Sequence, residues 1–116
     1  MLPLVRAVAP GVILVSAGFD AHHADPLGGM LLTAAGFGRL AAMVRQAAGP
    51  VPIAAMLEGG YDLDGLSYSV AAGLEGLTGV VSGLPEPEAG VREAPFSVAR
   101  ERARQVRHIA GAYWPL

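Results

Sequence analysis

Residues 10–20 read PGVILVSAGFD, and this stretch decides the fold class. A Pro-Gly pair opens a short, nearly continuous apolar run that is rich in β-branched residues, and Gly18 closes it. Such a run is typical of a strand that is buried on both faces of a sheet. We therefore predict a strand over 12–17, with Asp20 just beyond its carboxyl end.

The pattern changes to helical spacing further along the chain. Apolar residues recur at helical intervals after Thr33, a residue type that often caps helix N-termini, and the pattern stops at Gly49. This spacing predicts a helix over 34–48. The next apolar run, which ends at a Gly-Gly pair, predicts a second strand over 51–57.

A second helix is predicted after the second strand. Its apolar residues follow helical spacing over 64–78, and either Asp62 or Asp64 is the expected N-cap. The order strand, helix, strand, helix is typical of a parallel sheet with right-handed crossover connections. The sequence therefore predicts an α/β fold.

The last third of the chain is predicted to hold an exposed connection and a terminal helix. Residues 79–96 are rich in Gly, Pro and Glu, which favours a connection, and residues 97–113 return to helical spacing. The residues expected to form the buried stripe of this helix are Ala99, Ala103, Val106, Ala110 and Tyr113. The methionines expected to fill the core are Met30, Met43 and Met56.

The composition excludes several functional classes. The chain has 116 residues, 8 basic and 10 acidic, for a net charge of -2, and it lacks the basic excess that binding to nucleic acid requires. Without cysteine it cannot form disulfides, thiolate metal sites or thiol nucleophiles. Only 16% of the residues are charged, which is low for a soluble domain and suggests that another chain or segment covers part of its surface.

We expect neither a membrane span nor a signal peptide. The longest mostly apolar run, residues 8–19, is shorter than the roughly 20 residues that a spanning helix needs. The first ten residues lack the apolar core that precedes a cleavage site in signal peptides. A cytoplasmic location is therefore the expectation.

Polar residues cluster after both predicted strands, where parallel α/β sheets bind their ligands. Residues 18–29 follow the first strand and residues 58–62 the second, so Asp20 and Tyr61 are expected at one edge of the sheet, within reach of one ligand. Taken alone, Asp20 also fits a turn or helix cap, and Tyr61 also fits an aromatic residue at the rim with its hydroxyl in water.

The residues around both clusters strengthen the interpretation of Asp20 and Tyr61 as parts of one ligand site. The run VSAGFDAH at 15–22, with DPLGG at 25–29, resembles the arginase-like histone deacetylase family, especially its class II and acetylpolyamine amidohydrolase branches. The run LEGGYDL at 57–63 resembles the catalytic tyrosine loop of the same family. The resemblance implies the C-terminal part of a three-layer α/β fold and the zinc-dependent hydrolysis of N-acetyl amides, either acetyl-lysine or acetylpolyamine.

The resemblance also implies roles for individual residues. Asp20 matches a zinc ligand, and Tyr61 matches the tyrosine that stabilises the oxyanion intermediate. The residues that match the lining of the acyl-lysine tunnel are Pro26, Leu27, Gly59 and Gly60.

The family's other zinc ligands and its His-His pair lie upstream of the matched motifs. Catalytic zinc usually has three protein ligands, so Asp20 alone cannot hold it firmly. We therefore expect residues 1–116 to be the C-terminal segment of a deacetylase domain that is inactive alone and has an N-terminal half or a second copy as partner. The alternative is a non-catalytic remnant that acts as a folding or interaction module.

Two other motifs give competing interpretations. The run DAHHAD at 20–25 imitates the family's Asp-x-His zinc motif, which would make His22 a ligand. The flanking residues favour the alignment in which Asp20 is the zinc ligand, so His22 and His23 are expected to be ordinary loop residues. The run GLSYS at 65–69 approaches a serine-hydrolase motif, but it lies within a predicted helix.

Overall fold

A computed structural model describes residues 2–84, 86–87 and 97–114 of the chain. Its elements, in chain order, are α1 (Leu2–Val8), β1 (Ile13–Ala17), α2 (Ala34–Ala48), β2 (Ile53–Leu57), α3 (Leu63–Thr78) and α4 (Ser97–Gly111). The predicted bounds of the middle helices and strands agree with these to within two residues. Of the predicted connection at 79–96, residue 85 and residues 88–96 lie outside the described residues.

The two strands form a parallel sheet, so the predicted α/β fold is confirmed. Ile13 pairs with Ile53 at one end of the ladder, and Ala17 pairs with Leu57 at the other. A connection between parallel strands must cross over the sheet, and α2 lies in this connection. Both strands therefore end at the same edge.

The helix ends are capped by the residue types that the sequence predicts. The Thr33 hydroxyl accepts a hydrogen bond from the N–H of Gly36 at 3.2 Å and caps α2. Asp62 caps α3, because its carboxylate accepts from the N–H of Gly65 at 2.7 Å. The structure thus selects Asp62 over Asp64 as the N-cap, and the tyrosine loop runs directly into a helix whose start is fixed.

The prediction that the first strand is buried on both faces is wrong for the described residues. Along β1 the side chains alternate between half-buried and exposed, and Leu14 is 66% exposed. Val15 and Ala17, on the other face, line an apolar cavity that Phe37 of α2 and residues of α3 also line. The helices therefore cover one face of the sheet, and nothing among the described residues covers the other.

Two other burial predictions are also wrong. Of the described residues in the expected stripe, only Ala110 is buried, since Ala103, Val106 and Tyr113 are exposed, and the side chain of Ala99 lies outside the described residues. The three methionines expected in the core are each about half exposed or more. These apolar residues lack a covering layer in the described part of the chain. The short helix α1 had no counterpart in the sequence-based expectations.

Close contact between α2 and α3 depends on glycine. A side chain at Gly76 would clash with the carbonyl oxygen of Gly38 and would lie 2.9 Å from the Cβ of Ala41. A side chain at Gly38 would in turn lie 3.0 Å from the carbonyl oxygen of Ala72. Because these clashes involve backbone atoms, the two helices cannot keep this distance with larger residues.

We expect Gly76→Ala to lower the free energy of unfolding by about 1–3 kcal/mol, because the added methyl group forces the two backbones apart. The matched control is Gly73→Ala in the same helix, where an added Cβ meets only the Phe19 ring at 3.8 Å. That control gains helix propensity of up to about 1 kcal/mol and should be neutral or stabilising. Urea unfolding of both variants measures the difference, and equal stabilities would contradict the packing argument.

Candidate functional site

The loops that follow the two strands begin side by side. The N–H of Glu58 donates to the carbonyl oxygen of Ala17 at 3.1 Å, and the N–H of Phe19 donates to that of Gly59 at 2.7 Å. These bonds continue the parallel ladder past the ends of both strands. The residues after β1 therefore lie against the residues after β2.

The carboxylate of Asp20 lies against two glycines at this edge. A Cβ built on Gly18 would lie 3.2 Å from Asp20 Oδ1, and one built on Gly59 would lie 3.4 Å from Oδ2. Asp20 is exposed, so its carboxylate oxygens are open to a ligand. Because larger residues at Gly18 or Gly59 would crowd these oxygens, the glycines help to keep the carboxylate accessible.

Asp25 joins the two loops. It is 5% exposed, and its Oδ1 accepts hydrogen bonds from the N–H groups of Leu27 and Gly28, both at 2.9 Å. Its Oδ2 accepts from the N–H of Tyr61 at 2.6 Å. The bond from Tyr61 is the largest influence on the pKa of Asp25 and, with the other backbone donors, lowers it below its usual value. The charged form of Asp25 therefore holds the backbone of Tyr61.

Tyr61 combines a fixed backbone with an open side chain. Its N–H is bound to Asp25, whereas the residue as a whole is 60% exposed. The preceding Gly60 has φ 135°, a conformation that other residues rarely adopt, and a Cβ there would lie 2.9 Å from Leu66 Cδ1. The turn that presents Tyr61 thus requires glycine.

The other two residues that are predicted to line the substrate tunnel, Pro26 and Leu27, lie on the loop after Asp25. Pro26 and Leu27 are exposed, and Leu27 is 74% exposed. A side chain at Gly28 would clash with the backbone carbonyl of Asp20. The loop therefore folds back tightly on Asp20 and presents an apolar surface beside it.

The structure adds a second polar cluster that the sequence did not predict. The Nε2 atoms of His22 and His23 lie 2.8 and 3.0 Å from Oε1 of Glu86. Oε2 of Glu86 accepts a hydrogen bond from the N–H of Ala34, at the start of α2, at 2.8 Å. The two histidines are thus loop residues, as predicted, with a specific partner that is more than 60 residues away in sequence.

Electrostatics favour the charged form of Glu86. Burial acts to raise the pKa of this carboxyl, but hydrogen bonds from His23, the Ala34 N–H and His22 outweigh burial and lower the pKa overall. Little in the sequence marks Glu86 as a partner of the two histidines, because this residue lies in a Pro- and Glu-rich stretch that is typical of an exposed connection.

The described residues bring some of the predicted site residues together. The Asp20 carboxylate lies against Gly59, and Tyr61 is tied to the loop that contains Asp20. Among the described residues, the group of three or more potential metal ligands that lies within 4.8 Å is His22, His23 and Glu86, and Asp20 is not part of it.

Comparisons with known proteins identify the class. The family model described as histone deacetylase domain matches residues 1–77. The crystal structure of the HDA15 HD domain superposes with a TM-score of 0.76 at 32% identity, covering 98% of this chain and 30% of that one. The structure of the histone deacetylase Clr3 gives 0.74 at 33% identity, covering 98% of this chain and 18% of that one.

The chain belongs to the histone deacetylase family. It is 34% identical to Histone deacetylase 15 of Arabidopsis thaliana over 99% of this chain and 20% of that protein. It is 38% identical to Polyamine deacetylase HDAC10 of Homo sapiens over 98% of this chain and 16% of that protein. The chain therefore spans about a fifth or less of the length of these curated relatives.

No helix among the described residues is both long enough and apolar enough to cross a bilayer.

The low pKa of Asp25 predicts an acid-sensitive loop. Because the folded-state pKa is lowered, the stabilising contribution of Asp25 is fully present above its unfolded pKa of about 3.9 and is lost as the pH falls through the folded value. We expect Asp25→Asn to lower the unfolding midpoint near pH 7 and to flatten its decline below about pH 4. Thermal unfolding across this pH range measures both effects.

The matched control is Asp64→Asn, an exposed aspartate in the first turn of α3. This variant should keep the steep acid dependence of the parent chain. If Asp25→Asn shows the same acid profile as the parent, the hydrogen bonds to the Asp25 carboxylate do not contribute as described.

Proposed function

We propose that this chain supplies one zinc ligand, Asp20, and the catalytic tyrosine, Tyr61, to a zinc-dependent hydrolase of N-acetyl amides. The observation that carries the proposal is the position of the Asp20 carboxylate against Gly59, in the loop that leads to Tyr61. This arrangement offers an anionic ligand and a phenolic hydroxyl at one edge of the sheet. Membership of the deacetylase family supports the same chemistry.

The chemistry of Asp20 fits a zinc ligand. Carboxylate oxygens bind zinc, and this carboxylate is exposed. A catalytic zinc site generally needs three protein ligands and an open position. We propose that the other ligands come from outside the described residues. When bound, zinc polarises the substrate carbonyl and activates a water molecule.

The proposed role of Tyr61 is to stabilise the oxyanion. As water attacks the amide carbon, negative charge develops on the carbonyl oxygen, and a hydroxyl donor at that point lowers the barrier. Such a donor is most effective when it is held in place before the reaction. The hydrogen bond from the Tyr61 N–H to Asp25 and the turn at Gly60, which requires glycine, supply that restraint on the backbone.

The loop surfaces beside Asp20 suit a narrow acyl-amine substrate. We propose that Pro26 and Leu27 line one side of the substrate tunnel, and that Gly59 and Gly60 form the other side. Glycine at those positions leaves room for an extended methylene chain. Both acetyl-lysine and acetylpolyamines present such a chain, and the names of the relatives include histone and polyamine deacetylases.

We further propose that residues 1–116 act as the C-terminal segment of the domain and are inactive alone. The chain covers 30% of the HDA15 HD domain structure, and among the described residues Asp20 belongs to no group of three potential metal ligands. Leu14, on the open face of the sheet, is 66% exposed. The proposed partner is the N-terminal part of the domain or a second copy of the chain, which would cover this face.

A second candidate function is a non-catalytic folding or interaction module. The exposed apolar residues on the open sheet face, Leu14 and Met56, favour this alternative, because such surfaces often bind protein. The two functions differ in whether the completed domain binds zinc at Asp20 and turns over substrate.

The first test concerns the chain by itself. We expect the purified chain to show no hydrolysis of an acetyl-lysine reporter or of N-acetylputrescine. Turnover should appear when the chain is combined with a deacetylase fragment that carries the upstream His-His pair and the Asp-x-His motif. Zinc-dependent turnover by the chain alone would contradict the proposed division of the site, and complex formation without turnover would favour the interaction module.

The second test separates the roles of the two site residues in the completed domain. We expect Tyr61→Phe to reduce kcat by about 10²–10³-fold, the typical effect of removing an oxyanion donor, with unchanged zinc content. Asp20→Asn should lose the zinc bound at Asp20 as well as activity. Steady-state kinetics and metal analysis of the purified proteins measure both outcomes.

The matched control is Tyr113→Phe, since Tyr113 is also exposed and lies beyond the end of α4. This variant should keep both turnover and zinc. Loss of zinc in Tyr61→Phe, or full activity in that variant, would contradict the assigned role.

A further inference from the structure

We propose that His22, His23 and Glu86 form a second divalent-metal site, separate from the proposed zinc edge at Asp20. The proposal is independent of the hydrolase function, because it rests on a different set of side chains.

The three side chains converge on a small volume. Both histidine Nε2 atoms lie within 3.0 Å of the same Glu86 oxygen, and the three ligand atoms lie within 4.8 Å of one another. With metal–ligand distances of about 2.0–2.2 Å, tetrahedral geometry sets neighbouring ligand atoms roughly 3.3–3.5 Å apart. Both Nε2–Oε1 contacts would have to lengthen by a few tenths of an ångström for an ion to bind between these atoms.

The donor types match a borderline cation. Two imidazoles and one carboxylate form a ligand set that proteins use for zinc, with the fourth position left to water. The group His22, His23 and Glu86 contains no soft sulfur ligand of the kind that favours copper(I). Zn²⁺ is therefore the expected ion, and Co²⁺ is a suitable spectroscopic substitute.

The surroundings restrain the ligands. The side chains of His22, His23 and Glu86 are only 4%, 20% and 15% exposed. The N–H of Ala34 holds the second oxygen of Glu86, which is the kind of outer hydrogen bond that orients metal ligands.

Metal binding requires a change of tautomer at His22. The Nδ1 of His22 accepts a hydrogen bond from the N–H of Ala24 at 3.2 Å, so without metal its Nε2 carries the proton and donates to Glu86. Coordination through Nε2 leaves the proton on Nδ1, where it faces the N–H of Ala24. The His22 ring must therefore turn, or the loop must shift, to separate these two donors.

The site lies apart from Asp20. An added Cβ on Gly65, in the first turn of α3, would lie 2.7 Å from Cε1 of the His22 ring, whereas the Asp20 carboxylate lies against Gly18 and Gly59. A metal at the histidines would link the segment after α3 to the loop that contains Asp20. Its expected role is therefore structural, because it holds this loop in place.

The test is a zinc titration of the full chain in competition with a chromophoric chelator. We expect one equivalent of Zn²⁺ to bind with micromolar affinity or better and to raise the thermal midpoint. Glu86→Gln and His23→Gln should each weaken binding at least tenfold. His23 is the more accessible histidine, so its substitution avoids the buried ring of His22, and circular dichroism checks that the variants fold.

Two control variants test whether zinc binds at this site and not at another histidine or at Asp20. His108→Gln alters an exposed histidine in α4, and Asp20→Asn alters the proposed zinc edge, so both should leave the affinity unchanged. Co²⁺ should give the intense visible absorption of a tetrahedral complex, and Glu86→Gln should abolish it.

Two results would overturn the proposal. One is the absence of zinc binding by the folded chain, which would leave Glu86 as a hydrogen-bond partner only. The other is binding that Asp20→Asn removes and Glu86→Gln leaves intact. The first result leaves the proposed hydrolase function untouched, whereas the second would support Asp20 as a zinc ligand. Turnover of the completed domain tests the roles of Tyr61 and Asp20 in hydrolysis separately.

Discussion

The parallel pairing of β1 with β2 is the constraint on which the site depends. Ala17 pairs with Leu57, and the hydrogen bond from Phe19 to the carbonyl of Gly59 extends the ladder beyond the strands. Because parallel strands end at the same edge, the loops that leave them must begin in contact. The position of the Asp20 carboxylate beside the tyrosine loop follows from this register. A shift of one residue would turn the side chains of β2 to the opposite face and separate the two loops.

Two acidic residues hold the loops in place, each by joining segments that are distant in sequence. Asp25 binds the N–H of Tyr61, and Glu86 binds both loop histidines and the start of α2. In both residues hydrogen bonds favour the charged carboxylate and lower its pKa. Asp20 differs, because it is exposed and lies against glycines. The groups that maintain the loops are thus largely buried, whereas the groups proposed for chemistry are open to solvent.

The open face of the sheet relates the chain to the larger domains it resembles. Leu14 and Met56 are more than half exposed there, whereas α2 and α3 line the cavity on the other face. The chain superposes on 30% of the HDA15 HD domain structure. The described residues therefore form part of a deacetylase fold, with one sheet face covered by helices and the other exposed.

The sequence by itself determined the α/β class, the order of the middle elements, the cap at Thr33 and the two motifs that contain Asp20 and Tyr61, and it left Asp62 and Asp64 as alternative caps of the second helix. These features depend on residue types at local spacing, which periodicity and cap chemistry reveal. Only the tertiary structure decided that Asp25 holds Tyr61, 36 residues away, and that Glu86 meets the histidines across 63 and 64 residues. It also decided which apolar residues of β1 and α4 are covered. Local spacing marks a residue as apolar or charged, but its partner depends on how distant segments pack, which no local pattern records.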